Sequence, residues 1–358
     1  MTTSQAHEIA RVTRRPVSSL VVTGVGLGLV AIVVVWLGVN LFKDWSTFVQ
    51  LTLTGLTRGA LYALVALGYT LVYGILELIN FAHGDVFMIG GMIGATFAVQ
   101  IFGLGSNPSL GSLIPAILAA LVVATAICGL LNATIERVAY KPLRRAPRLV
   151  PLITAIGMSF ILQNVGLLWK GSQPVSLPPE TLPHGTIFTL GTCPKCVTYR
   201  WDQFVVLVVT VPVLLGLVWL VRFTRQGKAM RATAQDKDAA AMMGIDVNRT
   251  ISFTFLLAGG LAGTAGVIFV FYSTNIRYYE GFTLGLIAFT AAVLGGIGNL
   301  PGAVLGALLI GFIQDYNEGL SWHAPGSAWT QSIVFTILIL ILVFRPEGLL
   351  GERTPEGG

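Results

Sequence analysis

Charge is what this sequence has least of. Only 11% of its 358 residues are Asp, Glu, Lys or Arg, less than half of the roughly 25% usual in a soluble domain. That scarcity argues against a free-standing water-soluble enzyme. Histidine and cysteine are sparse as well, with four and three copies. His7, His83, His184 and His323 are too scattered to form a metal set, and no nucleophile–base group converges as an intramembrane enzyme would need. The G-x-x-x-x-G-K-[ST] phosphate loop is missing: "RQGKAMR" at 225–231 offers Gly-Lys, but alanine follows and no glycine precedes at the required spacing. Without that cradle of amides and lysine the chain has no means of holding ATP phosphates itself. The alternating pattern of a membrane barrel is absent too.

Oil is abundant. Hydrophobic residues make up 54% of the chain, glycine contributes 42, and the mean hydropathy is +0.79. About 20 apolar residues cross the roughly 30 Å of hydrocarbon as a helix, and the backbone in lipid must satisfy its own polar groups. The expected fold is therefore an all-α polytopic bundle. Ten spans fit, at about 17–39, 48–72, 85–103, 111–135, 149–169, 203–222, 250–272, 281–297, 301–316 and 330–345. The pair 281–316 is short and Gly-rich, so eight spans plus a re-entrant hairpin there also fits. The first run follows Arg11, Arg14 and Arg15 but lacks a small-residue cleavage site, and reads as a retained span.

The net charge of +6 is a topology signal rather than a nucleic-acid footprint. Lysine and arginine crowd 137–148 and 222–249 and thin out in the alternate connections, which places the N- and C-termini inside. Residues 1–16 and 348–358 read as disordered tails on that side. Residues 170–202, with Pro174, Pro178, Pro179 and Pro183, form an outside loop. Within it Cys193 and Cys196 ("CPKC") read as a candidate disulfide rather than half of a metal site, since no second ligand pair is visible. Cys128, inside a span, reads as a small hydrophobe.

Polar groups in the oily part are few and therefore informative. "YGILELINFAHGDVFMIGG", from 73 to 91, gathers Tyr73, Glu77, Asn80, His83 and Asp85. The second span would reach the inner boundary near 67–69, yet the chain stays apolar to Ala82. A broken or re-entrant piece between Gly74 and Gly84 follows, with Glu77, Asn80 and His83 on one face if it is helical. Ionisable groups inside a membrane usually face a cavity, so these residues are candidates for a translocation pathway or gate. Simpler roles compete: Asp85 as a cap of the third span, and His83 as a tie between helices. Arg58, inside the second span, reads as snorkelling or touching a subunit ahead of lining the pathway. Outside, "YSTNIRYYEGF" clusters Asn275, Arg277, Tyr278, Tyr279 and Glu280, either a first contact for solute or an aromatic belt. Gly295, Gly296, Gly298, Pro301 and Gly302 form a glycine-rich helix break. Tight helix packing is the leading reading there; amides offered to a solute carboxylate are the other.

On the inside, residues 229–243 are rich in helix formers, and Gly244 is placed to end a helix. Arg231, Asp236, Ala239, Ala240, Ala241 and Gly244 are the candidate docking residues of that loop, against the plainer reading of a solvated linker. An Ala-rich helix closed by glycine in such a loop resembles the coupling loop of ABC importer permeases. "RATAQDKDAAAMMGIDVNRTISFTF", "ALGYTLVYGILELINFAHGD", "ERVAYKPLR", "LITAIGMSFILQN" and "AFTAAVLGGIGNLPGAVLGALLIG" together resemble the LivH-type membrane permease subunit of branched-chain amino-acid ABC importers. The likeness covers about 48–350; Glu77 and Arg58 depart from the family pattern. It implies a 17–347 permease domain in a bacterial inner membrane, with 170–202 periplasmic and 223–249 a cytoplasmic coupling loop. It further implies no cofactor in this chain, ATP and Mg in two ATPase subunits, a second related permease, and an extracytoplasmic substrate-binding protein. The solute implied is a branched-chain or hydrophobic amino acid, with urea or short amides as the competitor and an ATP-independent secondary transporter as the outsider.

Overall fold

The structure, a computed structural model, describes residues 17–351 apart from Glu77, 106–107, Arg145, Arg148, 179–180, 182–184, 192–195 and Pro346. Glu77, Cys193, Pro179, Pro183, His184, His7 and the 1–16 tail therefore lie outside the described residues.

Twelve α-helices appear among the described residues. They are α1 (Val17–Lys43), α2 (Trp45–Leu76), α3 (Ala82–Thr96), α4 (Leu110–Ile135), α5 (Leu149–Lys170), α6 (Trp201–Phe223), α7 (Arg225–Gln235), α8 (Lys237–Met242), α9 (Val247–Ser273), α10 (Glu280–Gly295), α11 (Leu300–Gly319) and α12 (Thr330–Phe344). Helix α3 runs on as a π-helical turn to Ile101, and α4 continues through wider and tighter turns to Leu143. Seven of the described helical stretches are long and apolar enough to cross a membrane: 45–76, 82–101, 110–143, 149–170, 201–223, 247–273 and 327–344. The chain is an all-α polytopic membrane protein.

The described parts of the 170–202 loop include short strands. Val175–Ser176 (β1) pairs antiparallel with Asn275–Ile276 (β4), and Thr186–Leu190 (β2) pairs with Val197–Arg200 (β3). Gln50 of α2 accepts a 2.8 Å hydrogen bond from the Thr198 amide, fastening that hairpin to the bundle.

Helices α2, α3 and α9 are buried along most of their length, whereas α4, α5, α6 and α12 turn apolar side chains outward. In lipid such exposure carries no penalty, so packing rather than hydrophobicity must hold the centre together. Small residues provide it. On α2, Gly55 and Gly59 face α11: a Cβ on Gly59 would stand 2.7 Å from the Leu308 Cα, and one on Gly311 would stand 2.5 Å from the Gly55 carbonyl oxygen.

Three expectations are corrected here. Helix α2 passes Gly74 unbroken and stops at Leu76, while Gly84 lies inside α3, so the expected interruption between those glycines is present but shorter, with 78–81 non-helical among the described residues and neither glycine marking its edge. The 229–243 helix is two helices, because the Asp236 side chain accepts from the amides of Asp238 and Ala239 and starts a new turn. Finally, Gly348–Gly351 do not hang free. The amides of Leu349 and Leu350 donate to the carbonyls of Leu294 and Gly295 at 2.8 and 3.0 Å, satisfying the orphan acceptors that every helix leaves at its C-terminus.

Candidate functional site

The break between α2 and α3 brings some of the singled-out polar groups together and separates others. Asn80 is 3% exposed and accepts a 2.7 Å hydrogen bond from the hydroxyl of Tyr140, in the extension of α4. Its amide nitrogen has no partner. Asn80 and Tyr73 line one closed void of about 10 Å³, with Tyr69, Leu78, Phe289 and Ile297 around them. That is about the space of one water. His83 is fully buried with its ring edge-on to Tyr69, centroids 4.7 Å apart. It occupies the gap left by Gly68, where a Cβ would come within 2.2 Å of Nε2. The ring thus fills a specific socket in α2, and neither ring nitrogen has a hydrogen-bond partner.

Asp85 points elsewhere. The N-terminus of α3 has no side-chain cap, which corrects the capping assignment. Instead Asp85, fully buried, accepts from the Ser159 hydroxyl of α5, and Gln163 donates to that same hydroxyl at 3.2 Å. One Asp85 oxygen is satisfied in this way, and the other, Oδ1, is buried without a partner.

The glycine-rich break is the elbow of an antiparallel helix hairpin. A Cβ on Gly295 would lie 2.0 Å from the Gly302 carbonyl oxygen, and Gly296 and Gly298 take φ of +108° and +91°. Pro301 stands in the first turn of α11, where a missing amide proton is harmless. Asn299 caps α11 by accepting from the Gly302 amide and also donates to the Leu350 carbonyl at 2.7 Å. Gly74 meets Gly298 across the end of α2. Close approach of backbones, the leading reading, fits Gly295, Gly296 and Gly302, whereas a Cβ on Gly298 would meet open space and that glycine is called for by its positive φ.

Two networks escaped the sequence reading. Arg58 neither snorkels nor reaches out; it sits 3.0 Å from both Asp315 and Glu318 of α11. Those acids were legible at i and i+3 in "QDYNEG", but nothing in the sequence pairs them with Arg58. At the other end, Glu136 is completely buried, bonded to Arg144 and to the Ser252 hydroxyl (2.7 Å) at the start of α9. Arg144 also donates to Asn248 at 2.7 Å. "ERVAYKPLR" thus joins the Asn80 contact to the first turns of α9.

Helices α7 and α8 lead directly into α9. Arg231 ties α7 back to the Val221 and Arg222 carbonyls of α6. Ala240 is buried, whereas Ala241 and Gly244 are exposed, with Gly244 at φ +81° closing α8. Met242 and Met243 are 82% and 83% exposed, large apolar side chains with nothing over them. Outside the bundle, Arg277 donates to the Tyr279 hydroxyl at 2.7 Å beside Glu280. In the 170–202 loop Cys196 is disulfide-bonded, whereas Cys128 is buried and free.

The family model described as "Branched-chain amino acid transport system / permease component" matches residues 51–343. The chain belongs to that permease family. This permease is 40% identical over 309 residues to the high-affinity branched-chain amino acid transport system permease protein BraD of Pseudomonas aeruginosa, covering 86% of this chain and 97% of the relative. It is 39% identical over 314 residues to the permease protein LivH of Escherichia coli K12, covering 88% and 99%. A more distant relative, the autoinducer 2 import system permease protein LsrD of Salmonella paratyphi B, is 27% identical over 279 residues, 74% of this permease and 78% of that protein. No solved structure matches the permease.

Proposed function

We propose that this chain is a transmembrane permease subunit of an ATP-driven importer that moves branched-chain or other hydrophobic amino acids inward across the inner membrane. One observation carries the reading: the family match at 51–343 spans nearly the whole bundle, and near-full-length relatives bear branched-chain amino-acid names. The finer assignment has ten crossings, with α1, α10 and α11 added to the seven long apolar stretches, and both termini on the cytoplasmic side. Lysine and arginine around α7 and α8 favour that orientation.

In this scheme the chain itself holds no cofactor. ATP and Mg bind two partner ATPase subunits, a second related permease completes the pathway, and an extracytoplasmic binding protein delivers solute. The exposed Met242–Met243 pair, presented by the Asp236-capped α8, suits a partner's groove. A push there moves the start of α9, where Asn248 and Ser252 hold Arg144 and Glu136. Tyr140, on the same stretch of α4, holds Asn80 beside the closed void. This chain of contacts is the candidate linkage between nucleotide-driven motion and the gate.

The test is uptake by the assembled complex in proteoliposomes. Labelled leucine should accumulate with ATP and with the binding protein present, while urea and short amides should not. Met242→Glu with Met243→Glu should abolish ATP-driven uptake and ATPase association yet leave membrane insertion intact. Uptake that persists without ATP on an ion gradient alone would overturn the importer assignment, and urea accumulation would redirect the substrate.

A further inference from the structure

We propose that the lateral groove between α4, α6 and α9 is a binding site for one anionic glycerophospholipid, its headgroup in the basic pocket at the α7 end. Two cavities carry this. The first, about 760 Å³, opens sideways between the three helices and is walled by side chains such as Val122, Val213, Leu217 and Leu257. The polar side chains among its lining residues, Thr125 and Thr264, hydrogen-bond each other at 2.8 Å and so ask nothing of a ligand. The second, about 420 Å³, lies between the inner end of α4, the start of α7 and the start of α9. Leu130 and Leu256 line both, so one groove runs into the other.

The two ends have opposite chemistry. Arg137, Arg249 and Gln226 line the second cavity, and no acidic side chain does. Among the described residues neither guanidinium has an ion-pair partner: the acids close by in sequence are used elsewhere, Glu136 by Arg144 and Ser252, and Asp246 by the Arg249 amide. Two free guanidinium forks at the edge of hydrocarbon are matched by a phosphate ester, and basic pockets between membrane helices take anionic headgroups. From Leu121 to Leu130 the apolar part follows α4 for about 13 Å at 1.5 Å per residue. That is close to the half-thickness of a roughly 30 Å core, as an acyl chain attached to that headgroup requires. Neither a soluble anion nor a neutral hydrocarbon would use both ends.

Gly216 supplies the decisive variant. It lines the first cavity from α6, is exposed, and a Cβ there would meet nothing within 4 Å. Gly216→Leu therefore fills the groove without pressing on the bundle. The full chain, purified with its accompanying subunits, would be titrated with phosphatidylglycerol and with phosphatidylcholine of the same acyl chains, and bound lipid counted by native mass spectrometry. We expect one phosphatidylglycerol retained at least tenfold more tightly than phosphatidylcholine. R137Q with R249Q should erase that preference, Gly216→Leu should weaken both lipids, and Arg345→Gln, a basic change at the end of α12, should do neither. Equal retention of the two lipids, or unchanged retention in both site variants, would overturn the proposal. So would a photo-crosslinker at Val122 that captures a protein chain instead of lipid, since the groove would then be a subunit interface.

Discussion

Replacing Arg58 by methionine is expected to destabilise the bundle by about 2–3 kcal/mol, and the structure says which acid is responsible. Breaking a buried ion pair costs about 3–5 kcal/mol, mostly from the charge left behind, while an exposed pair is worth about 0–1 kcal/mol. The cluster lies between those limits, since the Arg58 and Glu318 side chains are each 27% exposed and Asp315 only 6%. Glu318 keeps hydrogen bonds from Gln314 (3.0 Å) and Thr330 (3.1 Å) when Arg58 is gone. Asp315 has no such support, as its second carboxylate oxygen is buried without a partner. Adding Asp315→Asn to Arg58→Met should therefore recover most of the loss, and adding Glu318→Gln should recover little. Reversible unfolding in mixed detergent micelles, followed by circular dichroism, supplies the double-mutant cycle. A loss below about 0.5 kcal/mol for the single variant, or recovery through Glu318 rather than Asp315, would refute the reasoning.

Gly68→Ala should cut the yield of folded protein sharply, because the new methyl meets the His83 ring; Gly68→Ala with His83→Ala should restore much of it, read by size-exclusion chromatography in detergent. Tyr140→Phe and Asn80→Ala should each lower uptake several-fold, and the pair together should do no more than either alone, since they break one 2.7 Å bond. Additive losses in the same transport assay would show that the two residues act separately.

How far the sequence carried can be judged from particular residues. The apolar runs made the helical bundle plain because length and hydropathy decide membrane crossing without tertiary detail. Asn80 and His83 were found because a polar group in oil stands out whatever it touches. Their partners were not, since Tyr140 and Gly68 look unremarkable until helices are assembled. The competing reading of Asp85 as a cap arose because a carboxylate before an apolar run fits local chemistry, and only packing against Ser159 reveals the other use. The split at Asp236 was missed for the reverse reason: alanine propensity favoured one helix, and a side chain competing for two amides divided it. Arg58, read as turned outward, illustrates a pairing across 257 residues of sequence to Asp315 that no local pattern encodes.

The docking of Leu349 and Leu350 onto the last carbonyls of α10 makes the segment after α12 a clasp. The helix hairpin cannot hinge at its elbow unless those two amides let go or travel with it. A shortened chain ending before Gly348 would leave the elbow unlatched, and a rigid fusion joined close behind Gly351 would act as a lever on it. Reporter proteins are thus better attached through a long, loose tether, and a pull on that terminus becomes a way to ask whether the elbow moves during transport.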